Sequence, residues 1–392
     1  MYELREATTE PKPTQEHRLG GGALGILPNG LRLLHRLGLY EKLLSRGSSN
    51  SRVVIRSIDG SVLGEQDVVG WAREQTGFGQ LRIKRFDVLA ELLEAVQTAG
   101  ITVQYGKTLT AIEEHENSIT AVFADGTRDS GDILLGCDGI HSSVRRLYVD
   151  RSQISEYTGF AGLTALVASG SAAPKLAGIN PTLTPEGMFT TVSCTAAEDE
   201  IYWVFSRETP LPDSLDARDG WEVRRRDEVQ GFKTTLFELL ADAGGEWGAI
   251  LKDIVEQTST VQFYPVYRLP FGGTWYRGRC MLVGDAAHAM QPQAGQGISM
   301  ALEDAFLICK LLRDPTRSLP DVFEEFDRVR RPRVEEIASL AASNAEGRKK
   351  TGPWGYWFKH YAIWAFMGIF STLRLGRLGL GQKHMVYDIE DS

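Results

Sequence analysis

The 392-residue chain is short of cysteine, of basic charge and of long apolar runs, and each shortage excludes a class of protein. Its four cysteines, Cys137, Cys194, Cys280 and Cys309, stand far apart with no C-x-x-C pair, which argues against both a zinc site and a disulfide framework. Two of them lie in apolar, strand-like runs, where cysteine is usually a small buried hydrophobe; a reducing cytoplasm fits, and no metal is expected. The net charge of −8 argues against nucleic acid as a partner, since phosphate binding needs a concentrated basic face. Arg224–Arg226 and Arg330–Arg331 lie among acidic neighbours and read as solvated helix faces. No apolar stretch reaches the roughly 20 residues that span a bilayer, and Met1 is followed by polar residues rather than a signal-peptide core. No repeat is visible, so the length points to two domains around a sizeable core.

The most informative segment runs from Arg279. Cys280-Met281-Leu282-Val283 is an apolar strand, Gly284-Asp285 a tight turn carrying one carboxylate, and Gly295-Gln296-Gly297 opens a helical run from Ile298 to Phe306. Free amides at such a helix start can hold an electron-rich or anionic ligand. Upstream, apolar spacing predicts helices over Asn29 to Ser45 and Phe86 to Thr98; Gly100 stops the second, and Ile101-Thr102-Val103 begins a strand. Turns at Glu116-Asn117 and Asp125-Gly126 make a meander that leads into Ile133-Leu134-Leu135. From about Asp150 to Pro270 the texture changes to short alternating runs, closed on one side by a helix from Trp221 to Ala243. Phe160, Phe189, Tyr202, Trp203, Phe205, Phe263 and Tyr264 are dense there, which suits either a flat apolar substrate or an ordinary core.

Val283-Gly284-Asp285-Ala286-Ala287-His288-Ala289-Met290-Gln291-Pro292, with Gly295-Gln296-Gly297, resembles the second flavin-binding motif of class A FAD-dependent aromatic monooxygenases, the group of 4-hydroxybenzoate and salicylate hydroxylases. Cys137-Asp138-Gly139-Ile140-His141-Ser142-Ser143-Val144-Arg145 resembles the same family's Asp-Gly motif, and Phe326 with Arg330-Arg331-Pro332-Arg333 matches a late helix. The resemblance implies an α/β fold: a Rossmann-like FAD-binding domain in two parts, 1–150 and 271–345, an inserted substrate-binding β-sheet domain at 151–270, and a C-terminal helical segment at 346–392. It implies Asp285 as acceptor for the ribityl hydroxyls, with Pro292, Gly295, Gly297 and Ile298 against the flavin ring. Arg85 and Asp138 are further implied cofactor contacts, although a capped turn and an ion pair with Arg145 explain Asp138 equally well. His288 belongs to the motif as a structural residue. Family members open with a strand and a Gly-x-Gly-x-x-Gly turn that carries the pyrophosphate. This sequence shows none: Met1–Arg5 matches the following strand, with Glu3 as the ribose acceptor, and Gly21 and Gly22 precede a loop, Ala23 to Gly30, that passes near the flavin. Either about 30 residues are absent from the front of the chain, one βαβ start, or the phosphate cradle has been lost.

The implied activity is a monooxygenase that takes electrons from NADH or NADPH through FAD and places one atom of molecular oxygen on an aromatic or polyketide-like small molecule, as in secondary metabolism. Where many relatives carry a Trp-Arg pair this chain has Leu163-Thr164, so Tyr202 is the candidate for orienting or deprotonating a phenolic substrate. A flavin-dependent halogenase would need a Trp-x-Trp-x-Ile-Pro stretch, and there is none. A degenerate flavoprotein acting as a non-catalytic binding protein is the alternative. The aromatic segment Trp354 to Phe370 reads as a helix packed on the protein's own surface or on a second subunit, in preference to an interfacial membrane helix.

Overall fold

Every strand that alternates in sequence ends up with one face in a core and one face turned to something else. The computed structural model describes residues 22–170, 173–212 and 217–391. The described residues open with β1 (Ala23–Ile26), α1 (Pro28–Arg36), α2 (Tyr40–Leu44), β2 (Arg52–Ser57), β3 (Val62–Asp67), α3 (Gly70–Thr76), β4 (Leu81–Lys84) and α4 (Arg85–Thr98). The meander follows as β5 (Leu109–Glu114), β6 (Ile119–Phe123) and β7 (Arg128–Gly131), then β8 (Leu134–Gly136). β9 (Glu156–Ala168), α5 (Ala173–Leu176), β10 (Ile179–Thr184), β11 (Gly187–Ser193), β12 (Glu200–Glu208), α6 (Ala217–Leu239), α7 (Gly245–Gln257) and β13 (Gln262–Arg268) form the middle. The last part holds β14 (Tyr276–Arg277), β15 (Cys280–Leu282), α8 (Asp285–His288), α9 (Gly297–Leu312), α10 (Leu319–Glu346) and α11 (Pro353–Thr372).

Two layers organise these elements. β15 pairs in parallel with β8, so the two motif-bearing strands lie side by side and their following turns emerge at the same end. Their core gathers Met281, Leu282, Met300, Phe323 and Phe326. The second layer is a seven-stranded sheet in the order β13-β9-β12-β11-β10-β2-β3. Ala161, Leu163, Ala165, Trp203 and Phe205 pack its one face on α6 and α7, and period-2 alternation sends Gly162, Thr164, Tyr202 and Val204 to the other.

Three sequence expectations change. The inserted sheet is not confined to 151–270, because the β2–β3 hairpin joins it through the parallel pairing of β10 with β2. The helix expected over Asn29 to Ser45 is two helices, broken where Gly38 takes φ +73°, a conformation that favours glycine. Ile101–Val103 enter no strand among the described residues. The aromatic C-terminal segment is α11; it rests on β3 along one edge only, and its other face is exposed.

Candidate flavin and substrate site

Beneath the Gly-Asp turn lies a buried ionic network that no local pattern announced. Gly284 adopts φ +59°, so the chain turns sharply out of β15 and α8 starts with Asp285 exposed. The turn is fastened from below: Gly284 N–H donates to Asp304 Oδ2 at 2.7 Å, and His288 Nε2 lies 2.6 Å from the same oxygen. Arg330, 0% exposed on α10, donates through Nε to Asp304 Oδ1 at 2.7 Å and through Nη1 to Glu303 Oε2 at 2.6 Å. Glu303 Oε1 accepts from Asn29 Nδ2 of α1 at 2.7 Å. Arg330 is therefore a buried crosslink rather than part of a solvated face. Burial pushes the Asp304 carboxyl up, but His288 and Arg330 pull it down further, to about 2. Desolvation opposes the Arg330 charge, yet the two carboxylates hold its pKa above the ordinary value. His288 takes its structural role.

Above this network is an open strip. Asp285, Pro292, Gly295 and Gly297 are exposed and Ile298 is half-buried. The Asp285 carboxylate has no partner among the described residues. A Cβ placed on Gly295 or Gly297 would meet nothing within 4 Å, so the backbone faces free space. α1 and α9 start side by side; a Cβ on Gly30 would lie 2.4 Å from Ser299 Oγ. Asn29 Oδ1, Gln296 Nε2 and Ser299 Oγ are buried without a partner at this junction. Two adjacent helix N-termini, orphaned polar atoms and an exposed carboxylate match the donor and acceptor needs of a flavin ring and its ribityl chain.

The second motif is bound to the first. Arg145, 2% exposed, donates to Ala286 O at 2.7 Å and to Ile140 O at 2.5 Å, bridging the two motif turns. Asp138 caps the turn after it, accepting from Ser142 Oγ at 2.5 Å, Ser143 N at 2.6 Å and Val144 N at 3.1 Å. The capped turn is thus realised, whereas the ion pair with Arg145 is replaced by carbonyl contacts. Arg85 is exposed at the start of α4, and its N–H donates to Gly22 O at 3.0 Å. Glu3 and Gly21 lie outside the described residues.

Tyr202 meets this site from the sheet. Gly22, at φ +60°, passes so close that an added Cβ would sit 3.3 Å from the Tyr202 ring and hydroxyl. Burial holds the Tyr202 proton on, well above the usual phenol range; neighbouring Tyr264 reinforces this, while Thr164 and Arg85 act the other way. Tyr264 is also raised by burial and is flanked by the Arg348 guanidinium. Burial lowers Arg348, whose Nε is a buried orphan. A row Arg85, Tyr202, Tyr264, Arg348 results, with cations at both ends of two protonated phenols. Of the aromatic residues expected to line a pocket, Tyr202, Tyr264 and Phe160 avoid the α6–α7 core, but Phe189, Trp203, Phe205 and Phe263 lie inside it, as alternation demands. Arg348 was not anticipated, and nothing in its local sequence marks it. A separate cavity of about 270 Å³, lined by Trp275, His288, Met290, Gln291 and Arg331 among others, contains neither Tyr202 nor Asp285.

Residues 12–232 and 268–341 match the model of a family described as FAD binding domain. The chain is 30% identical over 321 residues to a 3-amino-4-hydroxybenzoate 2-monooxygenase from Streptomyces platensis, covering 81% of this chain and 76% of that one. It is 25% identical over 342 residues to a 6-hydroxynicotinate 3-monooxygenase from Pseudomonas fluorescens, covering 86% and 84%. The crystal structure of HpxO from Klebsiella pneumoniae, complexed with FAD and uric acid, superposes with a TM-score of 0.76 at 22% identity, covering 96% of this chain and 88% of that one.

Proposed function

The chain belongs to the FAD binding domain family and is an FAD-dependent monooxygenase; on that premise we propose that it uses NADH or NADPH and oxygen to hydroxylate a small aromatic ring bearing a phenolic or carboxylate group. The observation that carries the substrate class is the row of Arg85, Tyr202, Tyr264 and Arg348 facing the Gly22 loop. The named substrates of the two relatives above, an aminohydroxybenzoate and a hydroxynicotinate, are aromatic acids of this kind. The reading as a non-catalytic binding protein is set aside, because the relatives that span four fifths of the chain are monooxygenases.

Asp285 would accept from the ribityl hydroxyls, and the Gly295–Ile298 amides with Pro292 would border the ring, supported by Asn29, Gln296 and Ser299. When bound, reduced FAD supplies the activation of molecular oxygen. The chain's own part is to bind, orient and exclude water. Tyr202 keeps its proton, so it donates a hydrogen bond to a substrate oxygen rather than acting as a base at neutral pH. Arg348 neutralises an anionic substituent, a role for which its unpaired Nε is free. Thr164, Gly162 and Val204 share the Tyr202 face of the sheet, and the Tyr264 ring lies over Gly162, whose lack of a side chain lets it come that close.

Testing this takes the FAD-loaded chain and a panel of hydroxybenzoates, hydroxylated N-heteroaromatic acids and their uncharged amides. Acids and phenols should stimulate NAD(P)H oxidation with matching hydroxylated product, and the amides should bind more weakly. Equal stimulation by acids and amides would remove the recognition row from the reading.

A further inference from the structure

We propose that α11 and the turn after it form a monotopic anchor that lies flat on an anionic lipid surface. The helix is attached to the body along one edge. Tyr356 Oη lies 2.8 Å from Ser57 Oγ, accepts from Ile58 N at 3.3 Å and donates to Leu183 O at 3.1 Å. About three helical turns further along, Met367 is buried over Gly64, where a Cβ would come within 2.5 Å of it. The following turn is anchored too, since Gly379 passes directly over the Trp71 ring. The outer face carries Trp354, Trp357, Phe358, Trp364, Phe366 and Ile369, each 57% to 86% exposed. Leu373 and Leu378 extend the patch beyond the helix at 62% and 64%. A continuous apolar surface of this kind is rare on a free protein and marks an interaction site.

Charge selects the occupant. From Gly347 to Tyr387 the chain has no Asp or Glu and seven Lys or Arg, on a protein of net charge −8. Arg374 and Arg377, just past the C-terminal end of α11, and Lys383 in the turn that follows are exposed and form no ion pair among the described residues. A second copy fits this face poorly. Antiparallel pairing sets Arg374 and Arg377 beside the partner's 348–350 segment, and parallel pairing sets them beside themselves, so either arrangement brings basic ends together. Anionic headgroups instead meet the arginines while tryptophan and phenylalanine enter the boundary below, the depth at which indole rings partition. No described helix is long and apolar enough to cross a membrane, which leaves the in-plane position.

The experiment is co-sedimentation of the FAD-loaded full chain with phosphatidylcholine vesicles that contain or lack phosphatidylglycerol, with tryptophan emission recorded on the same samples. Binding should need phosphatidylglycerol, shift emission to the blue and weaken as salt rises. R374E/R377E should lower the vesicle binding constant about tenfold or more, and W357S/W364S should remove most of the blue shift, leaving only the part due to Trp354. Both variants alter exposed residues outside the flavin and substrate machinery, so NAD(P)H oxidation in solution should stay as in the parent. Absence of binding to both vesicles, or binding indifferent to phosphatidylglycerol, overturns the proposal. So does a stable dimer by sedimentation velocity that W357S/W364S converts to monomer, because a second copy then covers the face.

Discussion

Replacing Arg330 by Met leaves Glu303 and Asp304 buried without the guanidinium that serves both. Each carboxylate is 0% exposed and bonded to it at 2.6–2.7 Å. Removing one member of a buried pair costs about 3–5 kcal/mol, a large share of the 5–15 kcal/mol that holds a typical domain. Arg330→Lys should recover only part of this, since an ammonium cannot present Nε and Nη to two carboxylates at once. The pH dependence has a definite sign. In the parent, Asp304 is held at about 2, below its ordinary value, so its contribution is present above about pH 4 and is lost as the pH falls toward 2. In Arg330→Met the Asp304 carboxyl loses one of the two cations that hold it down and keeps only His288, so it moves up, the folded state binds extra protons, and the deficit narrows on acidification. Because Asp304 also holds Gly284 N–H, FAD affinity should fall with stability. Urea unfolding followed by tryptophan fluorescence, at neutral and mildly acid pH with and without FAD, measures all of this. A variant within about 1 kcal/mol of the parent at neutral pH would refute the account of a buried crosslink.

Asp285→Ala should weaken FAD binding about 5- to 150-fold, the effect of about 1–3 kcal/mol for hydroxyls left unpaired, read by flavin fluorescence titration. Gly30→Ala forces a Cβ against Ser299 Oγ and should cost about 1–3 kcal/mol in urea unfolding while also loosening the α1–α9 junction. Tyr202→Phe should retain FAD and fold but raise the peroxide released per NAD(P)H oxidised, because a substrate-orienting donor is lost; full coupling in the variant would exclude the role. Arg348→Met should raise KM for carboxylate substrates about tenfold or more with little change for uncharged ones, measured by steady-state NAD(P)H oxidation.

The strand, Gly-Asp turn and glycine-opened helix at 280–312 were legible in the sequence because they depend on neighbours a few positions apart: apolar runs, a glycine where φ is positive, and helical spacing. The meander at 109–131 was legible for the same reason. The flavin roles of Asp285 and the Gly295–Ile298 backbone came from the resemblance to a family motif, since the spacing by itself describes only a turn before a helix. The rest of the site depends on register and on contacts between distant segments. Antiparallel pairing of β12 and β13 with β9 sets Tyr202 beside Tyr264, and helix packing brings Asn29 onto Glu303, 274 positions away. Arg330 looked like a surface charge because its partners, Glu303 and Asp304, lie a full helix earlier. The β2–β3 hairpin joins the inserted sheet although it lies within 1–150, a placement that alternation does not reveal, since it shows which residues share a face but not which sheet a strand joins. Local spacing therefore determined the elements and the Gly-Asp turn, whereas long-range packing decided which side chains stand together and which charges are buried.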